Sequence, residues 1–245
     1  MQYKSERVEI LKSDFHHWNE MKPDKEEGIP NPPLLKAPSG GPITNLCKTF
    51  DHIVIDKSFK QILNERHSQR KFSNSPLSLD ELSFLLFYTQ GIKKVTPQYT
   101  FRTVPSGGIR HPFETYLAVN NVDNLTPGIY HYLPEQHALE LLFEDSDQIE
   151  HISKAALKQT YVANCAVTFM WSVIPYRTVW RYHMSAYKTI LLDAGHISEN
   201  LYLLTTSIAC GTVAIGKYDQ EYLNRYLRLD GENEFIVLIA PVGKQ

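Results

Sequence analysis

A short basic stretch carries the side chains whose types and spacing are best suited to chemistry. Arg66, Ser68 and Arg70 stand at alternate positions, and alternate residues of an extended segment project to the same side. Two guanidinium groups and a hydroxyl would therefore face one ligand together. Guanidinium forks match phosphate oxygens bidentately, so the spacing favours a phosphate or another polyanionic group. The alternative is a solvated basic run, because short basic motifs often occur without a ligand.

A tight glycine turn is the second candidate segment. It comprises Pro105, Ser106, Gly107 and Gly108. Glycines let backbone N–H groups approach a ligand closely. The alternative is an ordinary turn between two elements.

The elements around these segments follow from caps and hydrophobic patterns. Ser78 and Glu81 form a capping box that predicts a helix ending at Gly91. Residues 92–101 are expected to form a loop. The other expected elements are a helix at 59–64, strands at 115–119, 129–132 and 138–143, a helix at 149–161, strands at 166–174 and 212–216, a helix capped by Asp219, and a buried strand at 235–244.

The segment from Trp180 to Cys210 lacks proline and keeps a helical apolar spacing. One helix of that length would span about 45 Å, which is longer than a small domain needs. This favours a helix packed against a symmetry mate in a dimer. The alternative is a core helix that breaks at Gly195.

Residues 1–60 are expected to form an N-terminal arm, and residues 61–245 one α+β domain. A weak helical pattern covers residues 5–21. Proline and glycine then punctuate residues 28–42, which predicts an extended segment that packs on the domain or on the other subunit of a dimer.

Composition excludes several classes of protein. Among 245 residues, 42% are hydrophobic and 21% charged, which is enough to bury a core. The net charge of -2 argues against a nucleic-acid binder. Apolar runs are too short for a membrane span, and the N-terminus lacks a secretory signal. The three cysteines and ten histidines show no metal-ligand spacing. We therefore expect a cytoplasmic protein without a metal, a membrane or a nucleic acid as partner.

Four sequence blocks occur in a characteristic order. They are R-H-S-Q-R-K-F at 66–72, R-T-V-P-S-G-G at 102–108, L-L-D-A-G-H-I-S-E-N-L-Y-L at 191–203, and V-A-I-G-K-Y with P-V-G-K at 213–218 and 241–244. Together they resemble the nitroreductase-like flavoproteins, and among these the SagB-type dehydrogenases, to which residues 122–142 are also similar. The resemblance covers about residues 60–245. It implies a mostly antiparallel central sheet surrounded by helices, with a long central helix at a dimer interface.

The resemblance also implies a homodimer with two FMN sites at the subunit interface. Arg66, Ser68 and Arg70 would hold the phosphate, the ribityl chain and the ring edge, with His67 added at the phosphate. A cation beside the ring, for which Arg70 is the candidate, would stabilise the reduced flavin. The remaining cofactor-binding positions implied are Pro105, Ser106, Gly107 and Gly108 from the other subunit, the backbone of Ile215 and Gly216, the side chain of Lys244 and the amide of Gln159.

The catalytic pair implied by the resemblance is altered in this sequence. SagB-type enzymes oxidise thiazolines and oxazolines to thiazoles and oxazoles, and they carry a Lys-Tyr pair after a tryptophan. Here Trp180 is followed by Arg181 and Tyr182. A guanidinium stays protonated and cannot act as a base, although it can orient a substrate. The alternative for Arg181 and Tyr182 is a helix-end cation beside a packed aromatic ring.

These observations favour an FMN-dependent oxidoreductase of the SagB type. It would dehydrogenate a heterocycle or side chain in a peptide or peptide-like natural product. The alternatives are a nitro- or quinone-reductase fed by NAD(P)H, and a cofactor-free scaffold subunit of a modification complex. A scaffold would not need the basic stretch or the glycine turn, both of which are intact.

Overall fold

An antiparallel seven-stranded sheet forms the centre of the molecule. A computed structural model describes residues 22–245, so the helical pattern predicted at 5–21 lies outside the described residues. The strands are β1 (Ile43–Asn45), β2 (Ile92–Val95), β3 (Thr100–Arg102), β4 (Phe113–Val119), β5 (Gly128–Leu133), β6 (Ala138–Phe143), β7 (Val167–Val173), β8 (Cys210–Thr212) and β9 (Phe235–Lys244). The order in the large sheet is β1-β6-β5-β4-β7-β9-β8, and β2 pairs with β3 separately.

The central strands are covered on both faces. Every residue of β7 is buried, and β7 pairs antiparallel with both β4 and β9. Because successive strand residues point to opposite faces, Phe169 and Trp171 enter one core and Met170 enters the other. The prediction of a buried strand at 235–244 is confirmed, and an α+β fold with a mainly antiparallel sheet is confirmed with it.

Helices surround the sheet, and two of them begin where the caps predict. They are α1 (Phe59–Glu65), α2 (Leu79–Gln90), α3 (Gln148–Ala155), α4 (Tyr176–Tyr182), α5 (Ala186–Ser207) and α6 (Gln220–Tyr226). At the start of α2 the Glu81 N–H donates to Ser78 Oγ at 3.1 Å, and the Ser78 N–H donates to Glu81 Oε2 at 2.9 Å. Asp219 caps α6 by accepting the Tyr222 N–H. None of the helices within residues 22–245 is long and apolar enough to cross a membrane.

Three local predictions are wrong. The strand predicted at 212–216 lies earlier, as β8, and ends at Thr212; within 213–216 Ile215 forms an isolated bridge with Ile239. Residues 92–101 are not a loop but the β2–β3 hairpin, closed by hydrogen bonds between Thr96 and Tyr99. The helix predicted at 149–161 ends at Ala155, because Leu157 and Lys158 adopt positive φ angles of 53° and 63°. A left-handed residue ends an α-helix, and a short 3₁₀ turn at Thr160–Asn164 follows.

The long helix predicted over residues 180–210 is two helices. The chain breaks at His183, with φ 47° and ψ −134°, and not at Gly195, which lies within α5. The 22 residues of α5 span about 33 Å at 1.5 Å per residue. Apolar periodicity continues through the break, so the pattern does not reveal it. A long helix is therefore present, although it is shorter than predicted.

The N-terminal arm packs on its own chain. The Trp180 Nε1–H donates to the Ile29 carbonyl at 2.9 Å, and the Lys25 N–H donates to the Trp180 carbonyl at 2.9 Å. Arg177 Nε donates to the Pro33 carbonyl at 3.1 Å. The arm then supplies β1, which pairs with β6 at the edge of the sheet. The arm therefore braces α4 and extends the sheet.

A buried charge network lies at the N-terminal end of β4. Glu114 forms an ion pair with Arg177, with Glu114 Oε1 2.6 Å from Arg177 Nη1, and Glu114 Oε2 is 3.0 Å from His131 Nε2. Arg177 lowers the pKa of Glu114 to about 2 against the opposing effect of burial. Burial lowers the pKa of the Arg102 guanidinium to about 10, and Glu114 partly opposes that shift. The network fixes α4 to the sheet, since Arg177 belongs to α4.

Two buried histidines are expected to make the folded chain less stable in mild acid. Burial lowers the pKa of His111 to about 3 and that of His137 to about 4. Both are neutral in the folded chain at pH 5, whereas an unfolded histidine gains its proton near pH 6.5. The unfolded state then binds more protons, so the free energy of unfolding falls as pH drops below 6.5. We expect Tm to fall by at least about 3 °C per pH unit below pH 6. Calorimetry between pH 7 and pH 4.5 checks this, and an unchanged Tm would contradict it.

Candidate functional site

The basic stretch lies against the C-terminal half of α5. Arg66 ends α1, and Ser68 pairs with Thr212 in an isolated bridge. Ser68 Oγ is 3.1 Å from the hydroxyl of Tyr202, and the Arg66 guanidinium lies 5.3 Å from the centre of the Tyr202 ring. Arg66 and Ser68 therefore share one neighbour, in line with the alternation. Arg70, the third residue of the alternation, is exposed and contacts the Ser68 carbonyl instead.

The two arginines of the stretch have no acidic partner. Within residues 22–245 neither Arg66 nor Arg70 forms an ion pair with a carboxylate. Arg70 Nη1 makes a long contact of 3.4 Å with the Ser68 carbonyl. Lys244 differs, because its ammonium is paired with Glu81. Both arginines thus remain available to an anion.

The backbone of Ile215 and Gly216 borders the same region. The Ala214 N–H donates to the Tyr202 hydroxyl at 2.8 Å, and the Ile215 N–H donates to the Ile239 carbonyl at 2.8 Å. A side chain at Gly216 would meet no atom within 4 Å, so its backbone faces open space. This leaves room for a flat ligand at Gly216.

His67 and Gln159 are committed to local hydrogen bonds. The two ring nitrogens of His67 lie 2.8 Å from the Glu65 carbonyl and 2.8 Å from Gln69 Oε1. Gln159 Nε2 donates to the carbonyls of Ala156 and Lys217 at 2.9 and 2.8 Å. Gln159 Oε1 also accepts from a tyrosine hydroxyl. Gln159 therefore fixes the chain that follows Gly216.

The glycine turn lies against the N-terminal half of α5. Ser106 Oγ donates to Asp193 Oδ2 at 2.5 Å, and the Gly107 N–H donates to Asp193 Oδ1 at 3.0 Å. The His111 N–H closes the turn on Ser106 Oγ at 2.9 Å. Burial raises the pKa of Asp193, while both hydrogen bonds oppose that shift. Ser106 and Gly107 thus fix the turn to α5 of the same chain, and Pro105 precedes them.

The turn also contacts the end of α4. Gly108 has a positive φ of 62°, and a Cβ there would overlap the Tyr182 hydroxyl and lie 2.8 Å from Arg181 Nε. Arg181 and Tyr182 are both half-buried, and the guanidinium lies 5.4 Å from the centre of the Tyr182 ring. The fold therefore brings the predicted catalytic pair to the predicted turn.

The predicted residues form two clusters and not one. Arg66, Ser68 and the chain at 214–216 gather at Tyr202. The turn is bound to Asp193 and contacts the predicted catalytic pair at Gly108. Tyr202 follows Asp193 by nine positions in α5, which is about 13 Å along the helix. One chain thus carries two separate clusters of the predicted site residues.

Sequence reasoning did not single out the two residues that organise these clusters. Asp193 and Tyr202 lie within the block at 191–203. The signal for Asp193 was a carboxylate on the apolar face of a helix, where it is 3% exposed. A buried carboxylate requires hydrogen-bond donors, and the turn supplies them.

A cluster of possible metal ligands lies apart from both. Donor atoms of Cys47, His52 and Asp80 are within 4.8 Å of one another. His52 Nε2 is already 3.0 Å from Asp80 Oδ2. Asp80 lies in the first turn of α2, where the helix dipole disfavours a cation. The expectation of no metal stays a prediction.

Gly108→Ala tests the contact between the turn and the catalytic pair. The new methyl group overlaps the Tyr182 hydroxyl and requires a φ that alanine disfavours. We expect a loss of about 1–3 kcal/mol in unfolding free energy, measured by urea denaturation. Gly195→Ala is the matched control, because Gly195 is helical and its Cβ would meet nothing within 4 Å. Equal stability of the two variants would contradict the contact.

The antiparallel sheet is flanked by helices, which is an α+β fold, and the long helix α5 links the two polar clusters. The model of the nitroreductase family matches residues 63–244. The chain belongs to the nitroreductase family and is an oxidoreductase of that family, whose members usually bind the flavin FMN.

Two relatives are similar in sequence. A protein of Methanocaldococcus jannaschii described as a nitroreductase is 32% identical over 187 residues, covering 76% of this chain and 90% of that protein. The trifolitoxin-processing protein TfxB of Rhizobium leguminosarum bv. trifolii is 29% identical over 133 residues, covering 51% of this chain and 36% of TfxB.

Two solved structures share the fold. A nitroreductase from Anabaena variabilis superposes with a TM-score of 0.74 at 23% identity, covering 98% of this chain but 45% of that one. A chain of the Escherichia coli microcin synthetase McbBCD, determined with truncated pro-MccB17 bound, gives a TM-score of 0.62 at 20% identity, covering 100% and 95%.

Proposed function

We propose that this chain is an FMN-dependent oxidoreductase of the SagB type. It would oxidise a heterocycle or side chain in a peptide or peptide-like substrate. The observation that carries the proposal is the pair of arginines, Arg66 and Arg70, which flank Ser68 without any carboxylate partner in residues 22–245. Cations left unpaired in a protein of net charge -2 fit an anionic ligand.

Ser68 has a hydrogen to give to such a ligand. The Tyr202 hydroxyl accepts the Ala214 N–H, so its own hydrogen can go to Ser68 Oγ. The Ser68 hydrogen is then free to donate to a phosphate oxygen. Tyr202 therefore orients Ser68 and packs against Arg66, which together fit the phosphate tail of FMN.

The other residues expected to bind the cofactor would do so through backbone groups, or after a side chain gives up its present partner. Ile215 and Gly216 would border the ring where Gly216 faces open space. Lys244 would reach the phosphate only by leaving Glu81. His67 and Gln159 would orient their neighbours. The cofactor, when bound, supplies a two-electron acceptor for the oxidation.

We propose that two copies of the chain build each site. The turn lies about 13 Å along α5 from the arginines, so the turn of a second copy would complete the site. The exposed side of α5 carries Tyr187, Leu191 and Leu192, and that of α1 carries Phe59 and Leu63. Such adjacent exposed apolar side chains are typical of an interface.

Arg181 and Tyr182 would contact the substrate and not the phosphate. Both touch Gly108 in the turn, which would face the cofactor of the other copy. The guanidinium would orient an acidic or carbonyl group of the substrate, since it cannot accept a proton. A peptide-like substrate is supported by the names of two similar proteins, TfxB and the microcin synthetase.

A reductase that uses NAD(P)H is the second candidate function. Arg181 favours it, because the lysine implied by the resemblance is missing. The M. jannaschii relative, of which the chain covers 90%, is described as a nitroreductase. The two candidates share the cofactor site and differ in the source of electrons.

One experiment separates the candidates. FMN is titrated into the purified chain, and the loaded chain is mixed anaerobically with a synthetic thiazoline-containing peptide, NADH or NADPH while flavin absorbance is recorded. Bleaching by the peptide supports the SagB-type reaction, and bleaching by the nucleotides alone supports the reductase. A chain that does not bind FMN and sediments as a monomer would contradict the proposed cofactor and dimer.

A further inference from the structure

His183 has a backbone conformation that histidine rarely adopts. Its φ of 47° and ψ of −134° lie close to a region that glycine almost alone occupies. Strain of this kind persists only where the surrounding structure fixes it, and it concentrates at functional sites. Here α4 ends on one side and the 3₁₀ turn His183–Ser185 leads into α5 on the other. Glycine would join the two helices at lower cost, so the side chain at this position requires a reason.

The imidazole of His183 also holds an unused nitrogen. The residue is half-buried, and its Nδ1 is buried without a hydrogen-bond partner among residues 22–245. A buried polar atom without a partner costs stability. Strain and an unpartnered nitrogen in the same residue are independent costs.

The position of His183 connects it to the proposed reaction centre. It directly follows Arg181 and Tyr182, both of which contact Gly108 in the turn. The break at His183 lets α4 end at the turn and α5 start in a new direction, since the two helices do not continue each other. His183 therefore directly follows the helix whose last two residues contact the turn.

We propose that His183 is the proton acceptor of the substrate oxidation. This inference rests on the proposed function. Oxidation of a thiazoline to a thiazole breaks two C–H bonds and forms one C=C bond. One hydrogen leaves as hydride to oxidised FMN, which is reduced by two electrons, and the other leaves as a proton to the His183 imidazole. Arg181 cannot take this proton, whereas the imidazole carries a nitrogen lone pair that can accept it.

Two variants separate a chemical role from a structural one. His183→Gly removes the imidazole and the strain, so Tm is expected to rise by about 2–4 °C. His183→Asn keeps a residue that tolerates positive φ but cannot accept the proton. Both should bind FMN as tightly as the wild type. Flavin reduction by the thiazoline-containing peptide should slow by about 10²–10⁴-fold in both.

Rescue by added imidazole completes the test. Free imidazole should restore flavin reduction in His183→Gly, where the side-chain space is vacant, and not in His183→Asn. Reduction at the wild-type rate in both variants, or a slow His183→Gly without rescue, would overturn the assignment of His183 alone. A wild-type chain that binds FMN but is not reduced by the peptide would instead overturn the substrate class, and the role of His183 with it.

Discussion

Replacing Arg66 and Arg70 together by alanine is expected to abolish FMN binding by the purified chain. Hydrogen bonds to charged groups contribute about 1.5–3 kcal/mol each. Loss of both guanidinium groups should therefore raise the Kd for FMN by at least about 100-fold. Neither arginine has a carboxylate partner in the described part of the chain, so no buried acid is left uncompensated. Fluorescence titration of FMN measures the loss.

The matched control for this variant is Arg225→Ala. Arg225 is an exposed arginine of α6 that pairs with Glu221 one turn away, far from Tyr202 in the chain. Its removal lowers the net charge by one and should leave FMN binding unchanged. If the double variant binds FMN as tightly as Arg225→Ala, the phosphate does not bind at the basic stretch. An unchanged Tm in the double variant would separate lost binding from lost folding.

Replacing Glu114 by glutamine is expected to lower the free energy of unfolding more than the loss of a surface ion pair would. Glu114 lies 2.6 Å from Arg177 Nη1, and both side chains are at most 3% exposed. Removal of one partner of a buried ion pair costs about 3–5 kcal/mol, because the other charge stays buried without compensation. Arg102, which Glu114 also attracts, adds to that cost. For a chain of this size Tm should fall by about 6–20 °C.

Glu221→Gln is the control for Glu114→Gln. Glu221 pairs with Arg225 on the surface of α6, and its side chain is 82% exposed. Exposed pairs of this type contribute about 0–1 kcal/mol. Calorimetry of the two variants at pH 7 should therefore give clearly different Tm values. Similar values would mean that the buried network contributes no more than a surface pair.

Local signals in the sequence were sufficient for much of the fold. The Ser78 and Glu81 box, the Asp219 cap and the apolar strand at 235–244 were each confirmed, because each depends on neighbours in the chain. The hairpin at 92–102 was missed because its strands are short and one is mostly exposed. The break at His183 was missed because apolar periodicity continues across it.

The candidate site was predictable by residue type and not by arrangement. Alternation placed Arg66 and Ser68 on one side, and both do contact Tyr202. Spacing gave no sign that Lys244 is paired with Glu81, because these residues are distant in the chain. The separation between the turn and the arginines depends on the length of α5, which only the three-dimensional structure fixes.

The attachment of the arm to α4 has a consequence for shortening the protein. A chain trimmed to residues 63–244 would keep the whole family match but lose β1 and every contact from the arm. The Trp180 indole would lose its acceptor at Ile29, and the Arg110 guanidinium would lose Asn31. Both groups would lose these hydrogen bonds close to Arg181 and Tyr182. Such a minimal domain would lose stability first at α4, before its central sheet loosened.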